Sequence, residues 1–100
     1  MPFNQLIPRP FTPNAVHMYA PNASGVYGIS NAHEWIYIGE TADIQEALLA
    51  HVRDGSASLM KRDPTGFVFE VCDQSTRPGR QGRLVSEYGP TCNRPVSRYS

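Results

Sequence analysis

The chain alternates between short apolar stretches of strand length and amphipathic stretches of helical period. β-Branched and aromatic residues are concentrated in two runs, 25–30 and 35–41, which are separated by a short spacer. Such runs are typical of strands, and a spacer of three residues, 31–33, is typical of a hairpin loop. The pattern therefore predicts a β-hairpin over residues 25–41.

A three-residue loop would place Tyr27 opposite Tyr37 and Ile29 opposite Trp35. Residues directly opposite in an antiparallel pair point to the same face. Two tyrosines are therefore predicted to project together from the middle of the hairpin, with Ile29 and Trp35 beside them. Cross-strand aromatic pairs are also a common source of sheet stability, so the pairing alone favours a packing role for the tyrosines.

An amphipathic helix is predicted directly after the hairpin. Asp43 followed by Glu46 has the spacing of a capping box, and Gly55 is a typical helix end. The apolar stripe of this helix follows the i, i+3, i+4, i+7, i+8 pattern and consists of Ile44, Ala47, Leu48, His51 and Val52.

Three further elements complete the core of the chain. A short helical segment is predicted at 58–62, a third strand at 67–72 with Phe67, Phe69 and Val71 on one face, and a last helix at 78–88. The order of elements predicts an α+β domain in which a three-stranded antiparallel sheet is flanked by helices.

The first 23 residues form a separate, proline-rich arm. Thr12 and Pro13 are a typical N-cap and first-turn pair, which predicts a short helix at 13–20. The arm is expected to wrap the sheet, although a role in dimerisation stays open. We therefore divide the chain into an arm at 1–23, a domain at 24–94 and a C-terminal tail at 95–100. The five prolines of the arm are Pro2, Pro8, Pro10, Pro13 and Pro21.

The charges balance over the whole chain but not along it. Residues 1–76 carry four basic and eight acidic side chains, whereas residues 77–100 carry five arginines and one glutamate. The basic C-terminal quarter is a plausible phosphate-contacting surface. A solvated arginine-rich helix face is the equally good structural alternative.

The remaining composition favours a cytoplasmic protein without a structural metal. Cys72 and Cys92 lie 20 residues apart without a CxxC spacing, and the three histidines follow no metal-ligand pattern. The N-terminal residues lack the basic and apolar regions of a signal peptide, and no apolar run has the length of a membrane span.

The hairpin also carries a family resemblance. The tripeptide Gly25-Val26-Tyr27, followed ten residues later by Tyr37-Ile38-Gly39, resembles the two tripeptides for which the GIY-YIG nuclease family is named. The resemblance covers about residues 24–94. It implies a small GIY-YIG-like domain, and hydrolysis of a phosphodiester by a divalent metal, a tyrosine-assisted water and an arginine.

The resemblance also assigns residues to roles. It gives catalytic positions to Tyr27, Tyr37, His51 and Ala47, and it gives the metal-binding position to Gln81. His51 could equally be a core histidine, since it lies on the apolar stripe. Nucleic-acid contacts are expected from Gly39, Arg77, Arg80, Arg83, Asn93 and Arg94.

Two of these positions depart from the family pattern. Ala47 stands where the family has its catalytic arginine, and Gln81 stands where it has its metal-binding glutamate. Alanine offers nothing to a transition-state anion, and glutamine offers a carbonyl oxygen without the charge that holds a hard cation such as Mg²⁺. Glu40, directly after Gly39, is expected to add an acid beside the cleft.

The sequence leaves three functions open. The first is a nucleic-acid-binding domain, with DNA as the expected partner, in which metal-dependent cleavage is impaired or lost. The second is an active Mg²⁺- or Mn²⁺-dependent endonuclease with relocated groups, for which Arg53, Arg80 and Arg83 are candidates. The third is a protein–protein interaction module on the same fold, with the proline-rich arm as its contact surface.

Overall fold

The computed structural model describes residues 3, 7–55 and 57–93. Arg94, the C-terminal tail and residues 1, 2 and 4–6 of the arm lie outside these residues. In chain order the elements are β1 (Arg9–Pro10), α1 (Pro13–Tyr19), β2 (Gly25–Ser30), β3 (Trp35–Thr41), α2 (Ile44–Asp54), α3 (Ala57–Lys61), β4 (Gly66–Val71), α4 (Arg77–Tyr88) and a 3₁₀ turn (Thr91–Asn93).

The predicted α+β fold is confirmed, with one more strand than expected. The antiparallel sheet has the order β1-β4-β2-β3. The added strand β1 comes from the arm and pairs Arg9 with Phe67 and Pro10 with Gly66. Its proline lacks the N–H that a central strand needs, so the segment can pair only at an edge and stays two residues long.

The hairpin forms where predicted, but its predicted register is wrong. The loop has four residues, 31–34, because the side chain of Asn31 closes it. Its Oδ1 accepts hydrogen bonds from the backbone N–H groups of His33 and Glu34, at 2.8 and 2.9 Å. A β-bulge then shifts the register between Ile29 and Ser30. Asn side chains commonly close turns in this way.

The new register changes the partners of the hairpin residues. Tyr27 lies opposite Gly39, and Tyr37 lies opposite Ile29. The two tyrosines are therefore diagonal neighbours, still on one face. Trp35 now pairs with Ser30 and packs on the other face, because the bulge at residue 36 reverses the alternation of side chains.

The two faces of the sheet are covered by different helices. We call the face with Tyr27 and Tyr37 the tyrosine face, and the other the α4 face. Helices α1, α2 and α3 cover the tyrosine face, whose buried side chains are Ala15, Val16, Ala20, Tyr27, Ile29, Ile36, Ile44, Leu48, Leu49, Leu59 and Phe67. The core of the α4 face consists of Phe3, Val26, Ile38, Val68 and Leu84.

Local capping explains where α1 and α2 begin. The side chains of Thr12 and Asp43 accept from the N–H groups of Ala15 and Glu46, which confirms both predicted N-caps. The N–H of Asp43 donates to the hydroxyl of Thr41. Thr41, the last residue of β3, thus accepts the hydrogen bond that a capping box would assign to Glu46. None of the helices in the described ranges is long and apolar enough to cross a membrane.

Candidate functional site

Three rings form the centre of the candidate site on the tyrosine face. The hydroxyl of Tyr27 and Nε2 of His51 are 2.9 Å apart, at hydrogen-bond distance. The ring centroids of Tyr27 and Tyr37 are 6.0 Å apart, and that of His51 lies 5.6 and 5.2 Å from them. The structure thus brings together the three side chains that the family resemblance places in the catalytic centre.

Gly39 provides the space in which this cluster forms. A Cβ atom at this position would lie 2.6 Å from the hydroxyl oxygen of Tyr27 and 2.8 Å from Cε2 of Tyr37. Distances this short are not tolerated, so only glycine permits the approach of both rings. This packing role is sufficient reason for the glycine, and a contact between Gly39 and nucleic acid stays a prediction.

Burial keeps the two hydrogen-bonded groups uncharged. It raises the pKa of Tyr27 above that of an ordinary phenol, and the neighbouring Tyr37 adds to the effect. Burial also lowers the pKa of His51. At neutral pH the contact therefore joins a neutral phenol to a neutral imidazole, and neither group carries a charge that could attract or neutralise a substrate.

The cluster borders a cavity of about 420 Å³. Tyr37 and His51 supply one part of its wall, and helix α3 with the residue after it supplies another. The wall consists of Tyr37, His51, Ser58, Leu59, Arg62, Thr91 and Cys92. Hydroxyls, an imidazole and a guanidinium therefore converge on one concave surface, a typical arrangement for binding a polar or anionic group.

The arginine position is filled by a packing residue. Ala47 lies one helical turn before His51 on α2, is half buried and packs against the core of the tyrosine face. Its methyl side chain carries no polar atom. The cluster therefore has no cationic partner on α2 at the position where the resemblance implies one.

The glutamate position is engaged in a structural hydrogen bond. The side-chain amide of Gln81 on α4 donates to the backbone carbonyl of Ile38 in β3, with 3.2 Å between nitrogen and oxygen. An ionised glutamate has no proton to donate and would turn an anionic oxygen toward that carbonyl. The hydrogen bond therefore suits glutamine and not glutamate.

The residues present do not fit a catalytic Mg²⁺ or Mn²⁺ ion. Hard divalent cations are held by carboxylate oxygens, and the cluster offers two phenols and an imidazole. Within residues 3, 7–55 and 57–93 no group of three or more histidine, cysteine, aspartate or glutamate side chains could hold a metal ion. The retained rings therefore stand without the anionic ligand that metal-dependent cleavage requires.

Two arginines of α4, Arg77 and Arg80, lie on the other side of the sheet and have acidic partners. Arg80 forms two hydrogen bonds with Glu70, at 2.7 and 2.8 Å. Arg77 binds Glu40 at 2.8 Å and the hydroxyl of Ser24 at 3.0 Å. These contacts occupy the charges that the sequence assigned to nucleic acid, although a role of Arg77 and Arg80 in binding stays a prediction.

The expectation that Glu40 adds an acid beside the cleft is wrong. Glu40 pairs with Val26 in the sheet, and its carboxylate is held on the α4 face by Arg77. Arg83 is exposed on α4. Asn93 ends the 3₁₀ turn, and its predicted contact remains untested.

Arg62 was missed in the sequence. It follows the last residue of α3 and contributes its side chain to the wall of the cavity. The turn signal Asp63-Pro64 locates it at a helix end, but only the tertiary structure brings that end to Tyr37 and His51. Its carboxylate neighbour is Glu34 at 3.5 Å.

Comparison with solved structures identifies the fold. The chain is similar to the GIY-YIG N-terminal endonuclease domain of UvrC from Thermotoga maritima bound to magnesium, with a TM-score of 0.67 and 19% identity over 78% of this chain and 94% of that one. A tyrosine-to-phenylalanine variant of that domain, bound to its catalytic divalent cation, gives the same TM-score at 18% identity, with the same coverage of both chains.

An asparagine-to-alanine variant of the same UvrC domain gives a TM-score of 0.61 at 19% identity, over 77% of this chain and 92% of that one. No protein-family profile and no curated protein sequence matches the chain. The similarity therefore shows that the chain has a GIY-YIG-like domain.

Proposed function

We propose that this GIY-YIG-like domain binds nucleic acid and that its metal-dependent cleavage of phosphodiesters is impaired or lost. DNA is the expected partner, by analogy with the endonuclease domains that share the fold. A cytoplasmic location stays a prediction. The observation that carries the proposal is that the Tyr27–Tyr37–His51 cluster forms, whereas an alanine and a glutamine stand at the two positions to which the resemblance assigns charged groups.

The missing charges bear directly on catalysis. Hydrolysis of a phosphodiester develops negative charge, and the loss of one preorganised stabilising group typically lowers the rate by about 10²–10³-fold. At the positions that the resemblance assigns to the arginine and the metal-binding glutamate, this chain has Ala47 and Gln81. The raised pKa of Tyr27 adds to this effect, because a buried neutral phenol is a poor base at neutral pH.

An active enzyme with relocated groups is less well supported. Arg80 is bound bidentately by Glu70 on the α4 face. Arg53 is exposed near the end of α2. Catalytic geometry tolerates only small displacements, so neither the paired Arg80 nor the exposed Arg53 favours a relocated catalytic arginine.

A protein-binding role has separate support in the arm, where Ile7 and Met18 are 82% and 72% exposed.

A cleavage assay beside a repaired variant tests the proposal. Branched and linear DNA would be incubated with Mg²⁺ or Mn²⁺ and either this chain or an Ala47→Arg, Gln81→Glu double variant. We expect DNA binding by both proteins and cleavage by the repaired variant alone.

The remaining outcomes are equally informative. Chelator-sensitive cleavage by the unmodified chain, abolished by Tyr27→Phe, would establish the active enzyme instead. The absence of binding to DNA or RNA at any salt concentration would contradict the proposal and favour a protein partner. Tyr27→Phe is the matched control for the cluster, because it removes only the hydroxyl that contacts His51.

A further inference from the structure

We propose that Lys61 and Arg62 form the phosphate-contacting track of the nucleic-acid site, with Arg62 as the cation that lines the same cavity as Tyr37 and His51. This inference rests on the proposed function, since it names the surface on which nucleic acid would bind. It assigns that surface to the end of α3 and not to the arginines of α4.

Arg62 reaches the cavity from a fixed position in the backbone. Its carbonyl accepts a hydrogen bond of 2.6 Å from the side-chain amide of Asn31 in the hairpin loop, and its N–H donates to the carbonyl of Leu59 at 3.2 Å. The end of α3 is thus held against the β2–β3 loop. A guanidinium on such an anchored segment binds an anion at a lower entropic cost than one on a free loop.

The cavity beside the cluster adjoins two further concavities. One, of about 400 Å³, is bordered by Ser58, Lys61 and Arg62, and the other, of about 340 Å³, runs past Lys61 and Arg62 to His33 in the hairpin loop. All three share Arg62. Together they follow α3 from the tyrosine cluster to the hairpin loop, an extended shape that suits a polynucleotide backbone better than a compact ligand.

The cations of this track are more accessible than Arg77 and Arg80 of α4, whereas Arg83 of α4 is exposed as well. The side chain of Arg62 is 44% exposed, compared with 10% for Arg80 and 17% for Arg77. Lys61 is also exposed. An arginine can exchange a loose, solvated partner for a phosphate, which its planar fork can bind bidentately. The tight pairs on α4 would have to be broken first.

The acidic groups along the track are Glu34 and Asp63. Glu34 lies 3.5 Å from Arg62, and its side chain is 32% exposed. A phosphate would therefore compete with the carboxylate of Glu34 for the guanidinium. Removal of that carboxylate should strengthen nucleic-acid binding, whereas a purely structural pair would give no gain.

The test measures DNA affinity as a function of salt concentration. A labelled duplex and the matching single strand would be titrated with the unmodified chain, Arg62→Gln and Lys61→Gln. Each removed phosphate contact should reduce the slope of log K against log salt by about 1. Arg62→Gln should also lower affinity by about tenfold at low salt, the scale of one charge-assisted hydrogen bond.

Matched variants separate this track from a general loss of charge. Arg9→Gln removes one positive charge beside the ring of Tyr19 on α1 and should leave the slope unchanged. Glu34→Gln should raise affinity, while Glu46→Gln, at the exposed start of α2, should raise it less. Arg62→Lys should retain most of the salt dependence, and thermal melts would confirm that each variant is folded.

The failure of this inference is distinguishable from that of the proposed function. If the unmodified chain binds no nucleic acid, both are overturned. If it binds and the Lys61 and Arg62 variants behave like it, only the track is overturned. A reduced slope for Arg83→Gln, with Arg62→Gln unchanged, would return the binding surface to α4.

Discussion

The two faces of the sheet treat their polar groups in opposite ways. On the α4 face, each of two arginines is closed onto a glutamate at 2.7–2.8 Å. On the tyrosine face, the phenol of Tyr37, the imidazole of His51 and the guanidinium of Arg62 line a cavity. On the α4 face the charges are paired within the fold, whereas on the tyrosine face these three polar groups border a space that a ligand could enter.

This difference shows that a high density of charge in the sequence does not by itself mean accessible charge in the fold. The last quarter of the sequence is strongly basic, yet its arginines at positions 77 and 80 stabilise the packing of α4 on the sheet. Lys61 and Arg62, which come from the acidic part of the sequence, are exposed, as is Arg83 in the basic part. Partner distance and exposure separate the two sets, and the sequence reports neither.

The largest expected effect comes from breaking the charge pair of the α4 face. Glu70→Ala would remove the carboxylate that binds the guanidinium of Arg80 bidentately, and the side chain of Arg80 is only 10% exposed. We expect the free energy of unfolding to fall by about 3 kcal/mol. Chemical denaturation would measure the change.

The matching variant on the other face is Glu34→Ala. Its partner Arg62 is well solvated, so the cost should be below about 1 kcal/mol. Equal losses for Glu70→Ala and Glu34→Ala would show that the two faces use their charges in the same way, contrary to the comparison.

A smaller effect is expected when the tyrosine cluster is crowded. Gly39→Ala would place a methyl group within 2.6 Å of the Tyr27 hydroxyl. We expect a loss of about 1–3 kcal/mol in stability, typical of overpacking, together with weaker DNA binding. Gly82→Ala is the control, because its Cβ meets open space in α4 and should stabilise the helix by about 1 kcal/mol. A Gly39→Ala variant as stable as the unmodified chain would contradict the packing role.

The smallest effect is a pH dependence that arises on the tyrosine face. The pKa of His51 is lowered by burial, so below about pH 6.5 the unfolded chain binds a proton that the folded chain resists. Stability should therefore fall as the pH drops through this range, and the loss should level off below the folded-state pKa.

Denaturation at several pH values would measure this dependence. His51→Gln should flatten the curve between neutral and mildly acidic pH. His33→Gln, at an exposed loop position, is the matched control and should leave the curve's shape unchanged. An identical pH profile for His51→Gln and the unmodified chain would remove His51 as its source.

Local signals in the sequence were sufficient for most of the fold. The hydrophobic period predicted the hairpin, and capping residues predicted the N-caps at Thr12 and Asp43. The end of α4 was predicted from Gly89, whose φ of 58° favours glycine. The register was not predictable from the period alone, because it depends on a side-chain hydrogen bond of Asn31 and on a bulge. The strand β1 was missed because only tertiary pairing makes Arg9–Pro10 a strand.

The candidate site was predictable only where local signals in the sequence determine it. The shared face of Tyr27 and Tyr37 follows from strand alternation, and His51 follows from its stripe on α2 together with the family resemblance. The contribution of Arg62 depends on how α3 packs against the hairpin loop. The partners of Arg77 and Arg80 likewise lie on distant strands. Contacts between residues far apart in sequence left no local signal.

The hydrogen bond from Gln81 to Ile38 also covers part of a sheet edge. Strand β3 is one edge of the sheet, and exposed edges can recruit strands from other chains. The Gln81 amide occupies a carbonyl of that edge, and the 3₁₀ turn Thr91–Asn93 packs against the same strand. The opposite edge, β1, is two residues long and ends in proline. Both edges of the sheet in the described residues are thus partly closed to strand pairing with a neighbouring copy of the domain.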